Sequence, residues 1–211
     1  MAEATDVAAD WNVIVTLPEA TFREARKFLR RWGEVHRTGY FHVLTLTVDD
    51  IKGFLEEVTK AIEEKPGTFN ILFHIIPAQR TFTFASAEEF EAKARDIAIL
   101  WAPMLAGKSF HVRLHRRGFK GTLSTPKEQR FLDETLLDAL ETLGTPGRIT
   151  FTDPDAILQI ETIDGRAGVS LWQRDDLHRY PFLGVSESAP ETFVVADLLP
   201  AVCKTIYDHK Q

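Results

Sequence analysis

At 211 residues, and with about 150 residues to an average domain, the chain makes one large or two small domains, and its 44% hydrophobic content is enough to bury a core in either case. Thirty-one acidic against 25 basic residues leave a formal charge of −6, which excludes a uniformly basic nucleic-acid coat and confines any polyanion site to a local patch. The single cysteine, Cys203, excludes an internal disulfide and a cysteine-rich zinc site, and fits a reducing compartment.

The first strand is expected over 11–17 (WNVIVTL), stopped by Pro18, and Phe22, Ala25, Leu29 and Trp32 then recur at helical spacing. Gly33 and Gly39 bracket a turn before a β-branched and aromatic stretch at 40–48, read as a strand. Asp49 and Asp50 stand where an N-cap and first-turn anion belong, ahead of the helical stripe Ile51, Leu55, Val58 and Ile62. Pro66 and Gly67 break that helix, and the apolar run 69–76 is of strand length, so the first half reads βαβαβ, with one more short strand at 81–84. Ser86 and Glu89 form a capping pair before a helix with Phe90, Ala94, Ile97 and Trp101 on its buried side. Residues 108–115 alternate cleanly, with Phe110, Val112 and Leu114 on one face and His111, Arg113 and His115 on the other. A helix over 126–143, a short strand at 148–151, a firm strand at 156–163 and an Asp164-Gly165 hairpin into 167–173 complete the second half. The pattern is α/β in the α+β sense: two small sandwiches meeting near 79–85 without a flexible linker, hence packed closely. An apolar segment at 193–206 reads as a terminal helix or arm.

Motifs that bring chemistry are sparse. The glycine pairs at 118/121, 144/147 and 165/168 match neither GxGxxG nor GxxxxGK[ST], so no NAD, S-adenosylmethionine or ATP cradle, and no other cofactor, is expected. His111 and His115 lie four apart on a strand, roughly 13 Å, too far to share a metal ion. Asp153 and Asp155 around Pro154 read as an Asx turn rather than a cation site. The residues two places after His42 and His111 are Leu44 and Arg113, which excludes a paired His-x-Ser/Thr phosphoesterase, and no serine sits in a G-x-S-x-G elbow. The first ten residues are acidic, and nowhere do 18 apolar residues run together, so the expectation is a cytoplasmic protein with no membrane partner.

One segment departs from the acidic background. Between Lys108 and Arg130 stand seven basic residues and one acidic residue, a local charge of +6 that leaves −12 on the rest of the chain. Arg113 on the strand face, Arg116, Arg117 and Lys120 at the following loop and Lys127 at the next helix start are candidates for a phosphate-binding surface. His111 and His115 share the strand face, and Phe119 offers a ring on which a base can stack.

The second half resembles the THUMP domain of tRNA-modifying enzymes. The likeness is carried by FHVRLHRRG at 110–118, by the helix running through Leu136 to Gly144, and by DPDAILQIE at 153–161. The region 11–84, with its run from Ile75 through Pro77 to Phe84, is similar to the ferredoxin-like domain that precedes THUMP, and together the likeness spans about residues 10–184. The resemblance implies an N-terminal ferredoxin-like domain (10–84) packed on a THUMP-type α/β domain (85–184), with a C-terminal arm (185–211). It further implies binding to the acceptor end of tRNA. In the family, THUMP grips that end and presents a distant nucleotide to a catalytic domain, usually a fused methyltransferase, thiouridine synthetase or deaminase.

Fewer than thirty residues follow Leu183, so the leading expectation is a non-catalytic RNA-binding adaptor, not itself an enzyme, that assists a separate tRNA-modifying enzyme. Its contacts would be Arg113, Arg116, Arg117, Phe119, Lys120, Lys127, His111 and His115, with no metal. The alternative is a stand-alone enzyme acting on RNA or a nucleotide through a centre of His111, His115 and Asp155. A weaker candidate surface is His178, Arg179 and Tyr180 before Pro181.

Overall fold

The computed structural model describes residues 10–18, 20–72 and 74–184. Its first sheet is built from β1 (Val13–Thr16), β2 (Val35–Arg37), β3 (Val43–Leu46) and β4 (His74–Pro77), with α1 (Phe22–Leu29) and α2 (Ile51–Glu64) as crossovers. The order β2-β3-β1-β4, antiparallel throughout, is the ferredoxin-like βαββαβ arrangement. Val13, Val15, Leu44, Leu46 and Ile75 alternate inward and meet Ala25, Leu29, Phe54, Leu55 and Val58 of the two helices. Two details differ from the sequence expectation. The three-residue strand β2 is too short to leave a periodic signal, and the stretch expected as a strand over 40–48 pairs only over Val43–Leu46. Residues 38–42 instead curl into a turn: the Thr38 hydroxyl accepts the Tyr40 N–H at 3.1 Å and donates to the Val43 carbonyl at 3.0 Å, and His42 takes a φ of +59°.

The second sheet has the order β5-β9-β8-β6-β7. Its members are β5 (Arg80–Thr83), β6 (Ser109–Arg117), β7 (Arg148–Ile149), β8 (Ala156–Ile163) and β9 (Arg166–Gln173), with α3 (Ala87–Trp101) before β6 and α4 (Thr125–Thr142) after it. β6 runs parallel to β7 and β8, while β8 and β9 form the hairpin expected at Asp164-Gly165. Phe90, Ala94 and Ala98 of α3 and Leu132, Leu136 and Leu140 of α4 cover one face, over Phe110, Val112, Leu114, Leu158, Ile160 and Val169. The fold is therefore mixed α+β.

The chain changes sheets earlier than expected. The Ala78 N–H still bonds Asn12 of the first sheet at 2.7 Å, whereas the Gln79 N–H bonds the Ser170 hydroxyl of the second at 3.0 Å. The strand expected to complete the first unit, β5, is thus hydrogen-bonded to β9. Conversely, α5 (Arg174–Arg179) and the turn Pro181–Leu183 return to the first unit, where Tyr180, Phe182 and Leu183 join its core. Arg179 and the Tyr180 hydroxyl bind Glu56 at 2.8 and 2.6 Å, so that expected surface cluster is a clamp between elements. The expected arm at 185–211, with Cys203, lies outside the described residues. Among the described residues no helix is long and apolar enough to cross a membrane.

One buried carboxyl group sits in the helix layer. α3 begins as expected, with the Ser86 hydroxyl accepting the Glu89 N–H, and its next turn brings Glu91 toward the start of α4. There Glu128 is fully buried, and neither carboxylate oxygen has a hydrogen-bond partner among the described residues. Lys127 Nζ lies 3.9 Å from Glu128 and 2.7 Å from Glu91. Burial first, and then the Glu91 carboxylate, raise the Glu128 carboxyl to about 7 against the pull of Lys127. The folded state therefore holds a proton that the unfolded chain releases near its ordinary value of 4.5. Stability from this group is complete below 4.5 and is lost as pH rises through 7. Chemical denaturation from pH 5 to 8.5 should show a decline on the order of 2 kcal/mol that Glu128→Gln removes, the variant being the more stable protein at pH 8.5.

Candidate nucleic-acid interface

Strand alternation puts His111, Arg113, His115 and Arg117 on the face of β6 opposite the helices. Register extends this face across the sheet, with Arg113 beside Gln159 and Ser170, and His115 beside Glu161 and Gly168. It is not an open surface, because the first unit lies against it. Ile163 packs with Trp11, Ile14, Val43 and Ala78, and Ile157 and Trp172 join the first core. Gly168 permits this approach: a Cβ there would stand 2.6 Å from the Ala78 Cβ and 2.8 Å from the Trp11 ring.

Coverage decides what each side chain can do. His111 is buried, its Nδ1 is 2.9 Å from the Thr150 carbonyl, and its ring lies 5.2 Å from that of Phe151. Arg117 is 8% exposed and donates to Glu161 at 2.5 Å. Glu161 also accepts from Gln159, which in turn accepts the Trp172 indole N–H, each at 3.2 Å, so a polar chain crosses three strands under the interface. Burial pushes the Glu161 carboxyl up, and the Arg117 charge beside it works in the opposite direction. His115 stays open at 59% side-chain exposure, 3.9 Å from Glu161. His74, at the start of β4, faces the same charges. Burial and then Arg113 and Arg117 lower it to about 4, and partial burial with Arg117 and Arg113 does the same to His115. At neutral pH both imidazoles are uncharged, and the positive charge of the site rests on its arginines and lysine.

Beyond β6 three loops meet. Gly118 packs so closely on Asp164 that a Cβ would lie 2.8 Å from the Asp164 Cα, and the Tyr40 hydroxyl donates to Asp164 Oδ1 at 2.6 Å. The turn 38–42, the 118–121 loop and the β8–β9 turn are therefore gathered at one end of the molecule. Arg116 donates to the Gly118 carbonyl, its charge is felt at Tyr40, and Lys120 is exposed.

Four expected contacts do not belong to this end as open groups. His111 is enclosed against Thr150, and Arg117 is neutralised by Glu161. Phe119, at a φ of +49°, places its ring 4.9 Å from Phe84 and closes the helix-side core instead of offering a free face. Lys127 is on the helix layer and pairs with Glu91. Arg116 and Lys120 remain at this end and His115 is open on the strand face, while Arg113 is half-buried further back along β6, within range of His115 and His74. His74, which sequence reasoning missed, joins them because the sheet packing carries it there.

The alternative His/Asp centre is not assembled. Asp155 accepts from the Ser109 N–H at 2.8 Å and its hydroxyl at 2.6 Å, and lies 3.1 Å from Arg174, which also holds Asp153 at 3.3 Å. It therefore anchors the start of β6, roughly 20 Å from His115 at six residues of strand rise. A cavity of about 970 Å³ opens between the units, but Asp49, Asp50 and Asp176 outnumber Lys52 in its lining, a poor setting for phosphate. Among the described residues no three histidine, cysteine or carboxylate side chains converge as metal ligands.

No family model matches the chain, and no curated protein matches it either. Solved structures do. PH1313 from Pyrococcus horikoshii is 15% identical over 78% of this chain and 55% of its own, at a TM-score of 0.53. TrmN from Thermus thermophilus is 17% identical over 76% and 44%, at 0.51. A 4-thiouridine synthetase in complex with RNA and ATP is 13% identical over 77% and 41%, at 0.49. The chain spans about half the length of the solved structures it matches. The likeness is one of fold, shared with THUMP-containing proteins. The expectation that the chain is not an enzyme is corrected: TrmN, a methyltransferase, is among the matched structures, so the fold gives no ground for excluding catalysis.

The Arg117–Glu161 pair makes a separate prediction about stability. Glu161→Ala leaves a guanidinium buried without its counter-charge and should cost about 3–5 kcal/mol in urea denaturation. Arg117→Met combined with Glu161→Leu should cost much less. Equal losses for the two proteins would mean that the pair does not hold the interface.

Proposed function

We propose that this protein binds RNA, with the acceptor end of tRNA as its target, and assists a separate enzyme that modifies that RNA. The observation that carries the reading is the placing of Arg116 and Lys120 at the end where three loops converge, with His115 open on the adjoining strand face, on a chain whose overall charge is −6. Such a patch holds phosphates and fixes position without reading sequence, which suits a stem end common to all tRNAs. The THUMP-type fold supports the choice of RNA over other polyanions. A phosphate near His115 favours the protonated ring, which titrates at about 4 in the free protein, so affinity should rise as pH falls from about 6 toward 4.

The test is the salt dependence of binding. In a titration of labelled tRNA between 50 and 300 mM salt, Arg116→Gln with Lys120→Gln should lower affinity and reduce the slope of log K against log salt by about 0.7–0.9 for each phosphate no longer neutralised. tRNA without its single-stranded 3′ end should bind more weakly to the native protein. An unchanged slope would remove this patch from RNA binding, and indifference to the 3′ end would remove the acceptor end as the target.

A further inference from the structure

The turn 38–42 carries a side chain that its surroundings do not explain. Phe41 is 93% exposed, more than any other large apolar residue among those described. Burying such a ring is worth about 1.5–3 kcal/mol, yet the loop holds it outward. Thr38 closes one side of the turn through the Tyr40 N–H and the Val43 carbonyl, and the Tyr40 hydroxyl ties the loop to Asp164 across the two units. The His42 carbonyl accepts the Leu17 N–H at 2.8 Å and fixes the other side. The ring is therefore presented by a braced loop, with the His42 imidazole 6.3 Å away between centroids.

Its location limits what it can meet. Asp164 abuts Gly118, to which Arg116 donates, and the charges of Arg116 and Arg117 reach Tyr40, the residue before Phe41. The flanking Gly39 and His42 are exposed and build no apolar rim of the kind that a protein partner's side chain would fill. A lone exposed π-face on a loop tied to the same end as Arg116 and Lys120 suits a nucleobase, because every base has a face to stack and its phosphate supplies the counter-charge.

We infer that Phe41 is the stacking platform for an unpaired base of the bound RNA, the phosphates of which lie on Arg116 and Lys120, with Tyr40 as the residue that positions it. This inference rests on the RNA-binding reading above and adds the part of the site that takes a single-stranded nucleotide.

The experiment uses the full chain and an acceptor-stem RNA with 2-aminopurine in its single-stranded 3′ end. Phe41→Ala should weaken binding about five- to a hundredfold, abolish the quenching of 2-aminopurine on binding, and leave the salt slope unchanged. Phe41→Trp should keep both affinity and quenching, and Tyr40→Phe should fall between. Position 41 is exposed, so an unaltered melting curve for Phe41→Ala serves as the folding control. Native affinity and quenching in Phe41→Ala, alongside weakened binding in Arg116→Gln with Lys120→Gln, would overturn the stacking role and leave the RNA-binding reading intact. Failure of the native protein to bind the RNA would overturn both.

Discussion

The packing of the first α/β unit onto the polar face of the second sheet is the constraint from which the rest of the site follows. A sheet with helices on one side only would leave its other face to water, and His111, Arg113, His115 and Arg117 would then form an open basic stripe. Gly168 instead admits Trp11 and Ala78 to within contact of the β9 backbone, and Ile163 and Trp172 continue the apolar seam. Charges caught under that seam have to be compensated where they stand, and the Arg117–Glu161–Gln159–Trp172 chain does this. Charges beyond its edge keep their access to solvent.

The same packing makes the site a joint product of the two sheets. The first sheet supplies His74 and Tyr40 to a site whose arginines come from the second, while Arg179 and Tyr180 near the end of the described chain clamp back onto Glu56 of α2. A polyanion meeting this end would touch elements from both units. Its grip would therefore depend on the relative placement of the two units.

Much of the architecture was legible in the sequence because it rests on local periodicity. The alternation from Phe110 to His115, the leucine stripe of α4, the Ser86–Glu89 start of α3 and the Asp164-Gly165 turn all appear where their spacing indicated. Strand β2 was missed because three residues are too few for a pattern, and β5 was joined to the wrong sheet because a strand's pairing partner is not encoded in its own residues. The candidate site was legible as composition: the excess of basic residues between Lys108 and Arg130 is in the sequence, and of the residues it named Arg116 and Lys120 lie at the loop end.

What the sequence by itself determined is therefore the α+β class, the helix-side core and the presence of a cationic segment in an acidic chain, because periodicity and charge are properties of neighbours along the polymer. Only the tertiary structure decided which of those cations are accessible. Arg117 met a carboxylate 44 positions away, Lys127 met Glu91 on another helix, and Phe119 met Phe84, while Phe41, unremarkable in the sequence, was left facing water. Accessibility is set by which surfaces are pressed together. That depends on contacts between residues distant in the chain, which no local pattern records.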